Sequence, residues 1–227
     1  MTSEYPEKAV AGELQKRYFL VDGNSFVYRA FFATPHLSNA KGVPTNATYA
    51  FLNMIKKLRN DEKPDFLVVI FDSKVPSFRE AICKEYKAQR PPMPGNMAIQ
   101  FPYIKALMEA MGIPAVEKEG FEADDIIATM VDRLKERKSL IYIVTSDKDM
   151  AQLVDKDVFI YDAQKNTILG KKEVTEKFGI PPTAMRDYLS LAGDASDNIP
   201  GVPGIGEKTA LELISYFGSV ENIIRWF

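Results

Sequence analysis

Tyr18-Phe19-Leu20-Val21 runs straight into Asp22-Gly23. Two further apolar runs end in the same way. Phe66-Leu67-Val68-Val69-Ile70-Phe71 meets Asp72, and Leu140-Ile141-Tyr142-Ile143-Val144 is followed closely by Asp147 and Asp149. Apolar runs without polar alternation read as strands buried on both faces, the mark of a parallel sheet covered by helices. In an open α/β sheet, ligands sit beyond the carboxyl ends of such strands. Glu122-Ala123-Asp124-Asp125 and the pair Asp194 and Asp197 add to the acids already named. So many carboxylates in one cleft repel one another unless divalent cations hold them. A two-metal site for phosphate chemistry is therefore the leading reading. Ordinary solvated surface charge is the competing one, and the clustering after strands counts against it.

The rest of the chain agrees with an anionic substrate. Over 227 residues, 31 Asp and Glu face 29 Lys and Arg; with the nine acids above set aside, the bases are in excess. A basic body around an acidic pocket suits a polyanion cut with the help of metal ions. At 46% hydrophobic residues the chain can bury a sizeable core, divided most naturally into one large domain and a small appendage. Cys83 is the only cysteine, which excludes a disulfide framework and a thiolate zinc site. His36 is the only histidine and lies in a Pro/Ser/Asn loop, so it reads as solvent-facing. No segment approaches the roughly 18 apolar residues of a membrane helix. The first fifteen residues lack the apolar core of a secretion signal. A reducing cytoplasm fits these features.

Strand and helix alternate to about residue 165, which implies a mostly parallel α/β sheet. Residues 1–16 read as a flexible extension, 17–22 and 65–72 as strands, and 45–59 as a helix capped by Thr45 or Asn46. Residues 76–88 read as a basic helix opened by Pro76, which would set Lys84, Lys87 and Arg90 in one stripe. Arg90-Pro91-Pro92-Met93-Pro94-Gly95 is irregular. A helix is expected over 97–111, another from Glu122, a strand over 140–145 and a hairpin around Gln164-Lys165-Asn166. Beyond Lys171 the chain reads as helices. There Gly201-Val202-Pro203-Gly204-Ile205-Gly206-Glu207-Lys208-Thr209-Ala210 has the pattern of a helix-hairpin-helix. Gly201, Gly204 and Gly206 let backbone approach a ligand closely. Amides at the next helix start, with Ile205, Lys208 and Thr209 beside them, would cradle a phosphate without reading sequence.

Seven segments in this order resemble one family. They are Leu20-Val21-Asp22-Gly23, Phe71-Asp72-Ser73-Lys74-Val75-Pro76-Ser77-Phe78-Arg79, Tyr86-Lys87-Ala88-Gln89-Arg90, Gly120-Phe121-Glu122-Ala123-Asp124-Asp125, Thr145-Ser146-Asp147-Lys148-Asp149, Gly193-Asp194-Ala195-Ser196-Asp197-Asn198 and the Gly-rich hairpin. The chain is similar to the 5′-nuclease, or flap endonuclease-like, domain of bacterial DNA polymerase I. The resemblance implies a PIN-like catalytic α/β domain over 17–180 with an arch at about 73–95, then a helix-hairpin-helix subdomain over 181–227. It implies two ions, Mg2+ or Mn2+. Asp22, Asp72, Glu122, Asp124 and Asp125 would belong to the first site or its surroundings, and Asp147, Asp149, Asp194 and Asp197 to the second. Lys87 and Arg90 would meet the scissile phosphate. Arg29 and the stacking ring of Tyr28 would lie near the cleft, and K+ could sit at the hairpin. The implied partners are DNA with 5′ flaps, nicks or gaps, RNA primers, and a polymerase region linked in the parent protein; no membrane is implied.

Three rival readings remain open at this level. A PIN-type ribonuclease would normally lack the hairpin segment. A non-catalytic DNA-binding module would not need every acid. An Asp-x-Asp phosphatase needs a second Asp two residues after the first, where this chain has Asn24. Taken singly, Glu122, Asp124 and Asp125 are better read as capping a helix, and Lys84 as part of a solvated face.

Overall fold

The computed structural model describes residues 9–10 and 13–226. The expected extension at 1–16 lies mostly outside the described residues; within it, Ala9–Val10 pairs antiparallel with Glu13–Leu14. The central sheet has six strands: β1 (Arg17–Asp22), β2 (Phe66–Ile70), β3 (Ala115–Val116), β4 (Leu140–Val144), β5 (Val158–Asp162) and β6 (Thr167–Leu169). Their order is β3-β2-β1-β4-β5-β6. All neighbours are parallel except β6, which returns antiparallel to β5 as the expected hairpin.

β1 lies at the centre, with Val21 level with Val69 of β2 and Val144 of β4. The acids that follow these strands are therefore delivered to one edge. Alternation along each strand splits the core into two layers. Phe19, Val21, Tyr142 and Val144 pack under α1 (Gly23–Ala33) and α2 (Asn46–Glu62). Leu20, Ile141 and Ile143 pack under α6 (Ala123–Lys135), with α3 (Phe78–Ile82), α4 (Gly95–Ala98) and α5 (Phe101–Ala110) lying between in sequence. The second layer continues without a break into the helical tail of α7 (Lys171–Phe178), α8 (Met185–Ala192), α9 (Glu207–Phe217) and α10 (Val220–Trp226). Val174, Leu191, Ala210 and Ile214 belong to the same buried cluster as the sheet residues.

Two helices differ from the sequence expectation. The segment 76–88 is helical only over α3, where Ser77 Oγ accepts the Arg79 amide. The chain then passes into turns, and Lys87 takes a left-handed φ of 54°. The Lys87 amide, instead of closing a helical turn, donates to Asp197 O at 2.9 Å, so a long-range contact overrides local helix preference. Lys84, Lys87 and Arg90 therefore form no stripe on a helix. The helix over 97–111 is interrupted between α4 and α5. There the fully buried Gln100 side chain accepts the Thr48 amide and donates to Asn46 Oδ1 and Asn96 O.

Candidate active site

Strand ends and helix starts hold the acids in fixed orientations. Asp22 closes β1 and caps α1, accepting the Ser25 amide and the Thr145 hydroxyl, each at 2.9 Å. Asp72 accepts the Ala123 amide at the start of α6 at 2.7 Å. Asp147 accepts the Asp149 amide at 2.8 Å, and its own amide donates to Thr145 Oγ1 at 3.1 Å. Asp194 accepts the Ser196 amide at 3.0 Å. At the start of α6, Asp125 Oδ2 accepts the Glu122 amide at 3.0 Å, so the capping reading describes part of what Asp125 does, while the Glu122 carboxylate is turned to other partners.

Crowding is written into their proton affinities. Burial pushes Asp22 up to about 6, with the charges of Asp72 and Asp147 adding to it against the Ser25 and Thr145 hydrogen bonds. Asp124 rises to about 8, first through burial and then through Asp22, Asp147 and Asp72. Asp149 rises to about 6 through burial, Asp147 and Asp194. Asp72 keeps solvent contact, yet the surrounding walls desolvate it and Glu122 adds repulsion, so it too is raised. Asp147 thus acts on both halves of the cleft: on Asp22 and Asp124 at one side, on Asp149 at the other. Asp194 goes the other way. Burial raises it, but two Ser196 hydrogen bonds and Lys148, whose Nζ is 3.6 Å away, bring it below the usual range.

Among the described residues, no three His, Cys, Asp or Glu side chains close on one point as a ready-made metal cage. The donor set is nevertheless all oxygen, and Asp149 Oδ1 is buried without a hydrogen-bond partner. Carboxylates that repel one another and carry an orphaned oxygen fit hard divalent ions that keep several waters, so that some of these acids meet an ion through water.

The opposite wall is the 73–95 segment. Tyr86 is buried, and its hydroxyl reaches Glu122 Oε2 at 2.9 Å and Asp197 Oδ2 at 3.1 Å. Lys87 Nζ donates to Glu122 Oε1 at 2.9 Å and lies 3.7 Å from Asp197. The Arg90 guanidinium pairs with Asp197 and donates to Ser196 O. Gln89 donates to Ala195 O, and Asn198 donates back to Glu85 O. Between the walls lies a cavity of about 410 Å3 lined by Arg79, Tyr86, Glu122, Asp124, Asp149 and Asp197 among others.

Arg29 lies over the Phe26 ring and faces a separate cavity with Lys57 and Tyr161. Tyr28 is exposed near Phe32, Lys84 is exposed, and so is His36. In the helical tail, α8 and α9 flank the Gly-rich loop, which a short pairing of Gly193–Asp194 with Ile199–Pro200 ties off. Gly201 is packed so closely that a Cβ would meet Leu191 O at 2.4 Å, whereas Gly204 has φ 83° and open space around it. Gly206 caps α9, whose first turn carries Lys208 and Thr209, both exposed, with Ile205 half-buried beside them. Sequence reasoning assigned no contact to Arg79, Tyr86, Gln89 or Thr145. Their signal was present, since all four lie inside the quoted motifs.

Comparison with known proteins agrees from residue 17 onward. The family model "5'-3' exonuclease, N-terminal resolvase-like domain" matches residues 17–179, and "5'-3' exonuclease, C-terminal SAM fold" matches 180–227. A 5'-3' exonuclease of Aquifex aeolicus is 43% identical over 92% of this chain and 73% of its own. The DNA polymerase I of Caldicellulosiruptor bescii is also 43% identical over 91% of this chain, which spans 25% of that protein. In fold, the chain is similar to the T5 D15 protein co-crystallised with metal ions, with a TM-score of 0.73 at 22% identity over 92% of this chain and 78% of that one. The D15 flap endonuclease in a pseudo-enzyme-product complex with DNA and metal ions gives the same score at 24% identity, over 92% and 78% of the two chains. With its acids gathered at the carboxyl edge of a parallel sheet and both family models matched in order, the chain belongs to the 5'-3' exonuclease family.

Proposed function

We propose that this chain hydrolyses DNA phosphodiesters near 5′ ends, acting on flaps, nicks and primers by structure and not by base sequence. The observation that carries the reading is the meeting of two banks. Asp22, Asp72, Asp124, Asp147 and Asp149 crowd one another, while Lys87 and Arg90 reach in from the other side. Asp22, Asp72, Glu122 and Asp124 would hold one divalent ion, with Asp125 behind them; Asp147, Asp149, Asp194 and Asp197 would hold the second. Such ions, Mg2+ or Mn2+, supply activated water and neutralise charge at the phosphate. That suits a chain whose sole imidazole, His36, is exposed in the loop between α1 and α2.

The side chains have separable tasks. Ser25, Thr145 and the Ala123 amide keep the Asp22 and Asp72 oxygens aimed into the cleft. Lys87 and Arg90, now satisfied by Glu122 and Asp197, would exchange those carboxylates for the scissile phosphate and offset the charge it gains. The amides opening α9, with Lys208, would grip duplex backbone, and K+ would assist there. Tyr28 and Arg29 would border the path of the strand.

The reading extends to a cytoplasmic setting and to a polymerase region joined to the parent chain, as in the polymerase relatives. Among the described residues, no helix is long and apolar enough to cross a membrane. Labelled 5′-flap, nicked and single-stranded DNA, incubated with Mg2+ or with chelator, tests the reading. Metal-dependent release of 5′-phosphorylated products is the expected outcome. Failure of every divalent ion to support cleavage would leave a binding module.

A further inference from the structure

Arg79 sits on α3, on the first leg of the 73–95 segment, and its partners lie on α6. Its Nη1 donates to Asp125 Oδ2 at 2.8 Å and its Nη2 to Asp125 Oδ1 at 2.7 Å, a two-pronged contact. The same Nη1 lies 3.6 Å from Glu122 Oε2. Asp125 is not free to follow the guanidinium, because its Oδ2 also accepts the Glu122 amide at 3.0 Å and closes the cap of α6. The next amide in that turn, Ala123, holds Asp72, and the residue after it is Asp124. One fork therefore fixes the turn on which three of the crowded acids depend. The fork is itself braced: the guanidinium lies 4.8 Å over the Phe78 ring, Phe78 meets Phe121 at 5.8 Å, and the Phe78 amide donates to Gly120 O.

We propose that Arg79 is a positioning residue for the divalent-ion site. Through Asp125 it sets the first turn of α6, and thereby the carboxylates of Glu122 and Asp124 and the amide that aims Asp72. The inference rests on the metal-site reading given above. The planar fork is what matters; an ammonium at this position carries the charge but not the two parallel hydrogen bonds. Asp125 commits three of its carboxylate's roughly four acceptor sites to the fork and the Glu122 amide, so its role is to transmit the position of Arg79 to the turn.

The test titrates Mn2+ into the full chain without DNA, following the free-ion paramagnetic signal. Alongside it run single-turnover cleavage at saturating 5′-flap DNA, DNA affinity in chelator, and thermal melts. Arg79→Ala is expected to weaken Mn2+ binding by about tenfold or more and to slow cleavage comparably, leaving DNA affinity unchanged. Arg79→Lys should remain defective while melting within about 5 °C of the parent. Asp125→Ala should match Arg79→Ala, and the double variant should be no worse than either, since both act as one unit. Full rescue by Lys, multiplied losses in the double variant, or a defect confined to DNA affinity would each overturn the proposal. So would a loss that simply tracks melting. If the parent chain binds Mn2+ but cuts no DNA, the nuclease reading fails while the Mn2+ affinities still judge Arg79.

Discussion

Asp147 occupies the most consequential single position, because its charge bears on Asp22 and Asp124 as well as on Asp149. Asp147→Asn keeps the size of the side chain and an oxygen for the Asp149 amide but removes the charge. Cleavage is expected to fall by orders of magnitude with DNA binding nearly intact, measured as single-turnover rate against a binding isotherm in chelator. Equal losses of both would sink its role as a ligand. Lys87→Ala should slow turnover even at saturating DNA, by about a hundredfold if it meets the developing charge; an effect on affinity alone would contradict that role. At this scale the sequence marked the acids well, since an acid just past a buried strand stands out. It gave the 73–95 wall poorly. Tyr86 and Arg79 lie inside the quoted motifs, yet Tyr86 looks like a core aromatic until its hydroxyl is seen between Glu122 and Asp197, and Arg79 taken alone reads as a solvated base.

Among the elements, the sheet was legible because three apolar runs need no partner information to be read as buried strands. The helix expected over 76–88 was not. Its residues have acceptable helix preference, but Tyr86, Lys87 and Arg90 are drawn to acids far along the chain, and Lys87 leaves the helical region to reach them. Local propensity is worth tenths of a kilocalorie per residue and yields to such contacts. The Gly-rich hairpin was recognisable as a unit, though its glycines serve different ends. Gly201→Ala drives a Cβ into Leu191 O and should cost about 2 kcal/mol in urea unfolding. Gly204→Ala meets no atoms and bears only its left-handed φ, so about 1 kcal/mol is expected. Equal costs would show that packing is not what selects glycine at Gly201.

For the molecule as a whole, the raised carboxyls set a pH dependence whose sign is unusual for acids. A carboxyl raised in the fold keeps a proton that the unfolded chain gives up, so folding takes up protons between the ordinary 3.8 and the raised value. The window runs up to about 8 for Asp124 and about 6 for Asp22 and Asp149. In chelator, the melting temperature should therefore rise as pH falls from 8.5 to 6. Mg2+ should raise it more at 8.5 than at 6, where protons compete for the same oxygens. Asp125, lowered chiefly by its Arg79 hydrogen bonds, contributes the opposite trend only in more acid solution, below the ordinary carboxylate range. Differential scanning at several pH values, with and without Mg2+, checks both signs.

The buried cluster that begins at Leu20 and ends at Ile214 has a further consequence. Sheet and tail share one interior, so the hairpin that would clasp the duplex and the acids that would cut it cannot drift apart. Together they act as a ruler with a fixed span. The incision should then be registered to the duplex and not to the loose 5′ end, so that lengthening a flap leaves the cut at the same nucleotide.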